Sequence, residues 1–493
     1  MDSCSKFPAP VYRDAVLSPI FEDAKRLFLG PMLEIDRAHL VMLAEAGINS
    51  ATVTAACLKA LDSLDRNELL NTAYDGTVED LFFLVERKLS DLCGAEYAGR
   101  VHTARSRNDL DLTIYRMVLR NNLLSIHEAS LNLRSRLLSL ANRFRTDAIP
   151  AYTHNQPAQP TTLGHYLMAH VEVFERDAAR VHDAWPRLNL SPFGACAITT
   201  TGFPINRART AALLGFDGLQ TNSYGAIASI DYLTESCALL VTSMLNVGRL
   251  AQDLLLYSTA EFDYLKLSDG YVQISSIMPQ KRNPVPLEHV RILASRAMTE
   301  AQAVLSSLHN TPFADMNDSG DPLLALVDVA FTDACRAQKL LDGVLSEASF
   351  NTARMRERAQ GSFLTVTELA DTLVRTVEIS FHQAHAIVSQ AVANAQGIFD
   401  HKQMVETVLQ ALAAAGVPDP PESLLMEALD VDHFIQIRSV PGGPALAAIE
   451  PEIERAQKQL ETDHVWLHDR LLQLNIASAE LLKTASQWKS ASQ

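Results

Sequence analysis

Ser275 and Ser276 stand side by side, with Lys281 six residues past the first, Asn283 two further on and Glu288 beyond. The segment that holds them, Tyr271–Arg291, also carries Met278 and three prolines, Pro279, Pro284 and Pro286. A serine hydroxyl is a weak base at its ordinary pKa and acts only when its surroundings stabilise the alkoxide. A flexible loop whose backbone N–H groups converge with Lys281 supplies that, and also steadies an anion developing on a substrate. The plainer reading is a basic surface loop ahead of a helix. So dense a set of polar groups is more particular than such a loop needs.

Two further segments concentrate hydrogen-bonding groups beside apolar runs. His102–Asp109, HTARSRND, places Ser106, Arg107 and Asn108 in succession where a long helix should begin. A guanidinium beside the free N–H groups of a helix N-terminus suits a carboxylate. The same residues read equally as an ordinary cap, made by Ser106 or Asn108. Ala151–Thr162, AYTHNQPAQPTT, sets Thr153, His154 and Gln156 in a polar turn between two helices. A lone histidine is usually structural, but imidazole titrates near neutrality and in such a turn becomes a candidate proton carrier.

Long helices must position these segments. Gly and Pro are absent between Gly99 and Pro150, and Asp111–Phe144 reads as one helix of about 50 Å at about 1.5 Å per residue. A second is expected from about Ala228 to Tyr257. There Ile230, Leu233, Cys237, Leu240, Met244, Val247, Ala251 and Leu254 recur in steps of three and four, the seam of a bundle. A third begins near Pro284 and Pro286, whose missing N–H groups fit a first turn, and runs to about Asn310. Thr162–Ala184 and Leu323–Leu345 have the same character.

The expected architecture is therefore all-α and three-part: residues 1–106 an N-terminal helical domain, 107–357 a central long-helix bundle, and 358–493 a C-terminal helical domain. Turn-rich stretches, Gly416–Glu422 and Arg438–Ile449, punctuate the last. Helices so long cannot all be covered by one chain, which predicts oligomerisation.

Bulk properties exclude several classes. The net charge of −16 speaks against nucleic acid as a partner, since phosphate binding needs a basic face. Cys4, Cys57, Cys93, Cys196, Cys237 and Cys335 lie scattered with no CxxC spacing, which predicts a reduced, cytoplasmic protein without a metal site. The opening MDSCSKFPAP lacks a signal pattern, and no membrane-spanning helix is expected.

The three polar segments carry a family likeness. SSIMPQKRNP, Ser275–Pro284, resembles the GSSxMPxKxNP loop of the fumarase/aspartase superfamily, with Ile274 at the position of the leading glycine. HTARSRND and YTHNQPAQP are similar to HTGRSRND and YTHLQRAQP of its argininosuccinate lyase branch. Ile35–Leu43, Ser191–Arg207, Glu261–Asp269, Glu368–Arg375 and Phe381–Val388 also fall where that branch has counterparts. Motifs in order along most of a chain are specific where one alone is not.

The resemblance implies an all-α homotetramer with a shared helical core and active sites assembled from several chains. It implies reversible elimination of fumarate from an N-substituted L-aspartate, without metal or organic cofactor, nucleic acid or membrane. Ser275 would be the base that removes the proton beside a carboxylate, with Lys281 and loop N–H groups stabilising the charge. Asn283, Ser276 and Met278 would contact substrate, and Ser106, Arg107, Asn108, Thr153 and Gln156 would hold its carboxylates. His154, paired with Glu288, would assist protonation of the leaving nitrogen.

The likeness departs on the amine side. Thr311–Pro322 stands where argininosuccinate lyases carry a Tyr, a Gln and a Lys; Asp315 and Gly320 fall at the first two and the Lys has no counterpart. EDLFFLVER, Glu79–Arg87, places Phe82 and Phe83 where polar groups are expected, and a WGGRF opening is missing. Unpaired polar partners change substrate choice. The pattern therefore resembles relatives such as ethylenediaminedisuccinate lyase, with argininosuccinate lyase proper as the alternative. Catalytically silent, crystallin-like members also exist in the family, but the joint presence of Ser275, Lys281, His154 and Asn283 argues against that class.

Overall fold

The computed structural model describes residues 7–490. Five long helices form its centre: α1 (Arg107–Arg143), α2 (Leu163–Leu188), α3 (Asp231–Tyr257), α4 (Val285–Ser307) and α5 (Asp321–Glu347). A sixth, α6 (Leu446–Ser490), is the longest at 45 residues. Each expected helix is present, with ends set by capping. Ser106 Oγ accepts the Asn108 N–H and Asp109 reaches back to the Ser106 N–H, so α1 starts four residues before the expected Asp111. Thr162 Oγ1 accepts the His165 N–H at 3.0 Å to start α2. Pro286 and Pro322 occupy the first turns of α4 and α5, where a missing N–H costs nothing.

The core of the bundle runs along the seam read from the sequence. Leu233, Cys237, Leu240, Met244, Val247, Ala251 and Leu254 of α3 are buried with Leu123, Leu137, Phe174, Val290, Ala297, Phe331 and Leu341 of its neighbours. Helix α3 is long and apolar enough to cross a membrane by composition, yet it lies between α2 and α4 in this core. Between α1 and α2 the backbones almost touch: a Cβ on Gly164 would sit 2.5 Å from the Ala141 carbonyl oxygen and from Arg145 Cα. Only glycine permits that crossing.

Ala151–Thr162 forms more than the expected polar turn. Strands β1 (Ala148–Thr153) and β2 (Gln156–Thr162) pair antiparallel, and Thr153 and Gln156 flank a two-residue loop. His154 and Asn155, at φ 51° and 59°, make that loop. Successive positive φ values are what a tight hairpin of this length requires.

Short helices before α1 build a second core around Phe21, Leu33, Leu40, Leu58 and Leu84, closed by Phe193, Leu213 and Phe216. A third core, from Leu369 to Leu429, includes Leu373, Val388, Met404 and Val408. Helix α6 belongs to neither end alone. Ile449, Ile453, Leu460 and Leu467 enter the bundle core, and Leu481 and Ala485 enter the N-terminal one.

Candidate active site

The sequence-predicted residues fall at the two ends of the bundle. Ser106, Arg107 and Asn108 open α1, and the hairpin bearing Thr153, His154 and Gln156 follows its far end, where Leu163 N–H meets the Asp147 carbonyl. The 37 residues of α1 span roughly 55 Å at about 1.5 Å per residue. One chain cannot bring the two groups together.

At the first end Ser106 is the helix cap, so the plain reading of that residue is realised. Asn108 Nδ2 donates to the Ala197 carbonyl at 3.2 Å. Arg107 donates from Nη1 to Asp80 Oδ2 at 2.5 Å and to Glu79 Oε1 at 3.1 Å, with its guanidinium 5.2 Å from the Phe83 ring centroid. Asp80 also caps the helix Leu81–Cys93 through the Phe83 N–H. Phe82 packs at 5.3 Å from His102 and 5.8 Å from the Arg105 guanidinium. Glu79–Arg87, one of the two segments that depart from the motif pattern, thus meets the SRND motif.

Thr311–Pro322 reaches the same end. Buried Tyr115 donates its hydroxyl hydrogen to Asp321, and Asp315 lies within electrostatic reach of Arg107. Arg107, Asp111 and Tyr115 sit four residues apart, on one face of α1. Burial, then the nearby Asp321 charge, raises the Asp111 carboxyl well above the usual carboxylate range. Asp321 is likewise raised, by burial first. The four-residue spacing from Arg107 is the sequence signal for Asp111 and Tyr115, whereas nothing local in the sequence points to Asp321.

The second end holds the hairpin and the serine loop. Thr153, His154 and Gln156 are exposed. Tyr152 and Tyr264 hydroxyls meet at 3.2 Å, and Leu265 and Lys266 pair with Phe350 and Ser349, which anchors the loop base beside the hairpin. Gln273–Ile274 pair with Arg282–Asn283, so Ser275–Lys281 forms the arch of a small hairpin. Ser275 Oγ accepts N–H groups from Met278 at 3.1 Å and Ile277 at 3.4 Å. Donors aimed at that oxygen favour negative charge on it. Lys281 N–H closes the turn on the Met278 carbonyl at 3.0 Å.

Ser276, Met278, Lys281 and Glu288 are exposed and Asn283 half-buried. Ile274 and Ile277 are 81% and 83% exposed, an unusual state for isoleucine unless another surface covers the arch. Glu288 sits in the first turn of α4. The pairing of His154 with Glu288 implied by the resemblance is not formed within one chain among the described residues.

The bundle also leaves an apolar face open. Leu245 and Leu256 of α3 and Ile292 of α4 are 50%, 39% and 49% exposed. Leu245 also lines a cleft between α2, α3 and α4 of about 700 Å³, with His170, Arg249, Asp253, Arg291 and Met298 among its other walls.

Residues 33–299 match the Lyase family, and residues 363–436 the argininosuccinate lyase C-terminal family. The chain is 43% identical over 449 residues to argininosuccinate lyase 2 of Agrobacterium fabrum, covering 90% of this chain and 88% of that protein. It is 34% identical over 461 residues to argininosuccinate lyase of Methanocaldococcus jannaschii, covering 93% and 94%. Among solved structures it is similar to an EDDS lyase variant with bound fumarate, with a TM-score of 0.87, 32% identity and 96% of each chain covered.

Proposed function

The chain belongs to the argininosuccinate lyase branch of the fumarase/aspartase superfamily and is a fumarate-releasing carbon–nitrogen lyase; from that premise we propose which residues carry the reaction and which half of the substrate each end receives. The substrate is an N-substituted L-aspartate. Its aspartyl half lies against the Ser275 arch, where Ser275 removes the proton beside a carboxylate. Backbone N–H groups of Ile277 and Met278, with Lys281, stabilise the alkoxide and the dianion that follows. Asn283, Ser276 and Met278 contact this half, and closure of the arch excludes water. His154, with Glu288 from a neighbouring chain, assists the leaving nitrogen.

Ser106, Asn108, Thr153 and Gln156 hold the succinyl carboxylates. Arg107, already engaged by Asp80 and Glu79, holds the wall of the amine side in place. That wall is rich in carboxyl groups, with Glu79, Asp80, Asp111, Asp315 and Asp321 around Arg107, and burial raises Asp111 and Asp321 toward the protonated form. Its carboxyl oxygens can accept hydrogen bonds from the protonated nitrogen that the amine halves of ethylenediaminedisuccinate and argininosuccinate both carry. The arginine-binding Tyr, Gln and Lys are replaced, which favours the first of these substrates.

The observation that carries the reading is the separation of the SRND end from the serine arch along α1. The site is completed only when chains associate with opposite ends together, and the exposed faces of α3 and α4 supply a surface for that. A cytoplasmic homotetramer fits both. Purified protein incubated with argininosuccinate and with ethylenediaminedisuccinate, with fumarate followed by its absorbance, tests the proposal. Release from at least one is expected, with loss by about 10³-fold in Ser275→Ala, in the range of positioned acid–base groups. No fumarate from either overturns the substrate reading, and full activity in Ser275→Ala overturns the mechanism.

A further inference from the structure

The bundle contains a second concentration of titratable groups that the proposed reaction does not use. It lies where α6 crosses α1 and α2. His127 of α1 and His182 of α2 approach with their Nε2 atoms 3.3 Å apart. Trp466 of α6 covers both: its ring stacks on His182 at 4.1 Å and 28°, and meets His127 edge-on at 5.3 Å. Trp185 of α2 packs edge-on to the same indole at 5.8 Å.

One turn away on α6, buried Asp463 pairs with buried Arg134 of α1 at 2.6 Å and accepts from Gln459 at 2.9 Å. Its other approach is to His182 Nδ1, at 4.0 Å. The remaining charged neighbours are Asp183 of α2, His464 of α6 and the Arg470 guanidinium, 5.9 Å from the Trp466 ring. Arg134 and Asp463 cancel, so neutral imidazoles leave the cluster balanced.

A short Nε2–Nε2 contact needs one hydrogen between two nitrogens. With both rings neutral, one donates and the other accepts. A proton on His127 adds a charge to a residue that is 1% exposed and lies beside His182 and Arg134, with the Asp463 backbone carbonyl the smaller, opposing influence. Such a charge is costly unless paired, and Asp463 is already committed. Two protons abolish the acceptor and set like charges against each other.

We infer that the His127–His182–Trp466 contact, seated on the Arg134–Asp463 pair, is an acid-labile latch that docks the C-terminal helix on the bundle. It stands independently of the proposed reaction. Burial holds His127 down to about 3 and His182 below its ordinary value. With α6 undocked, both rings are uncovered and return toward about 6.5. The undocked form therefore binds more protons, and docking weakens as pH falls below about 6.5. Because Leu481 and Ala485 of the same helix close the N-terminal core, release at Trp466 also loosens that domain's attachment.

Hydrogen exchange of the full-length protein, read by mass spectrometry at pH 7.5 and 5.5 and corrected for intrinsic rates, tests the inference. Peptides spanning residues 455–475 are expected to lose protection severalfold at pH 5.5 while those within α3 keep theirs. His182→Phe, which keeps the stack on Trp466 and removes one of the two titrating rings, is expected to lose less protection at pH 5.5 than the parent chain. His127→Gln is the second variant should the first fold poorly. Unchanged wild-type protection at pH 5.5, loss shared equally by α3, or an undiminished pH response in both variants would overturn it.

Discussion

Arg107 and Asp80 are joined by a 2.5 Å hydrogen bond between Nη1 and Oδ2. This bond ties the first residue of α1 to the cap of the helix Leu81–Cys93, so the SRND motif and the Phe82–Phe83 wall move as one. In Asp80→Ala the cap is lost, at about 1 kcal/mol, and Arg107 is freed from one of two carboxylates. The expected kinetic effect is a rise in KM of about tenfold, roughly 1.4 kcal/mol of binding, with kcat changed less. Steady-state fumarate release measures it; an unchanged KM would sink the positioning role of Asp80.

The proposed assembly of each site from separate chains makes a sharper prediction. Ser275 and Asn108 lie at opposite ends of α1, so Ser275→Ala and Asn108→Ala variants should each be nearly inactive. Mixed under conditions that exchange subunits, they should regain part of the activity, because some sites then receive both intact ends. Sites contained in one chain give no recovery at any mixing ratio.

The sequence made the helices legible and the partners of their side chains illegible, for physical reasons. The α3 seam and the Ser106 cap are local patterns, set by residues three or four apart, and both appear as read. The β1–β2 hairpin was hidden because Pro150, Pro157 and Pro160 interrupt its strands and His154–Asn155 contains no glycine at positive φ. Arg107 finds Asp80 and Glu79 27 and 28 residues earlier in the chain. Tyr115 finds Asp321 206 residues later. The periodicity of α6 shows a buried face but not that it divides between two cores. Motif likeness pointed to the serine loop and the SRND segment as candidates, while their separation along α1 needed the fold.

Buried neutral histidines fix a pH dependence of stability. His39, fully buried with Nε2 2.8 Å from the Thr103 carbonyl, is lowered to about 3 by burial and then by Arg105. Burial lowers His170 to about 4. A folded-state pKa below the unfolded value near 6.5 gives stability that is complete above about pH 6.5 and lost as pH falls toward those values. The raised carboxyls of Asp111 and Asp321 act in the opposite sense, being most favourable when protonated. The informative quantity is therefore a difference. The urea midpoint should fall less between pH 6.5 and 4.5 in His39→Gln than in the parent chain, and equal slopes would refute the assignment to His39.

The serine arch depends on a close packing contact far from its hydroxyl. A Cβ on Gly343 of α5 would lie 2.6 Å from the Tyr271 hydroxyl oxygen and 3.5 Å from its Cζ. Gly343→Ala therefore forces Tyr271, four residues before Ser275, to shift. Helix propensity favours Ala over Gly by roughly 1 kcal/mol, so thermal stability should change little while fumarate release falls, since small misplacements of a base are costly. Removing the hydroxyl as well leaves an ordinary 3.5 Å contact. Gly343→Ala with Tyr271→Phe should thus recover most of the activity that Gly343→Ala alone loses. Additive losses in the double variant would mean that Tyr271 does not set the position of the arch.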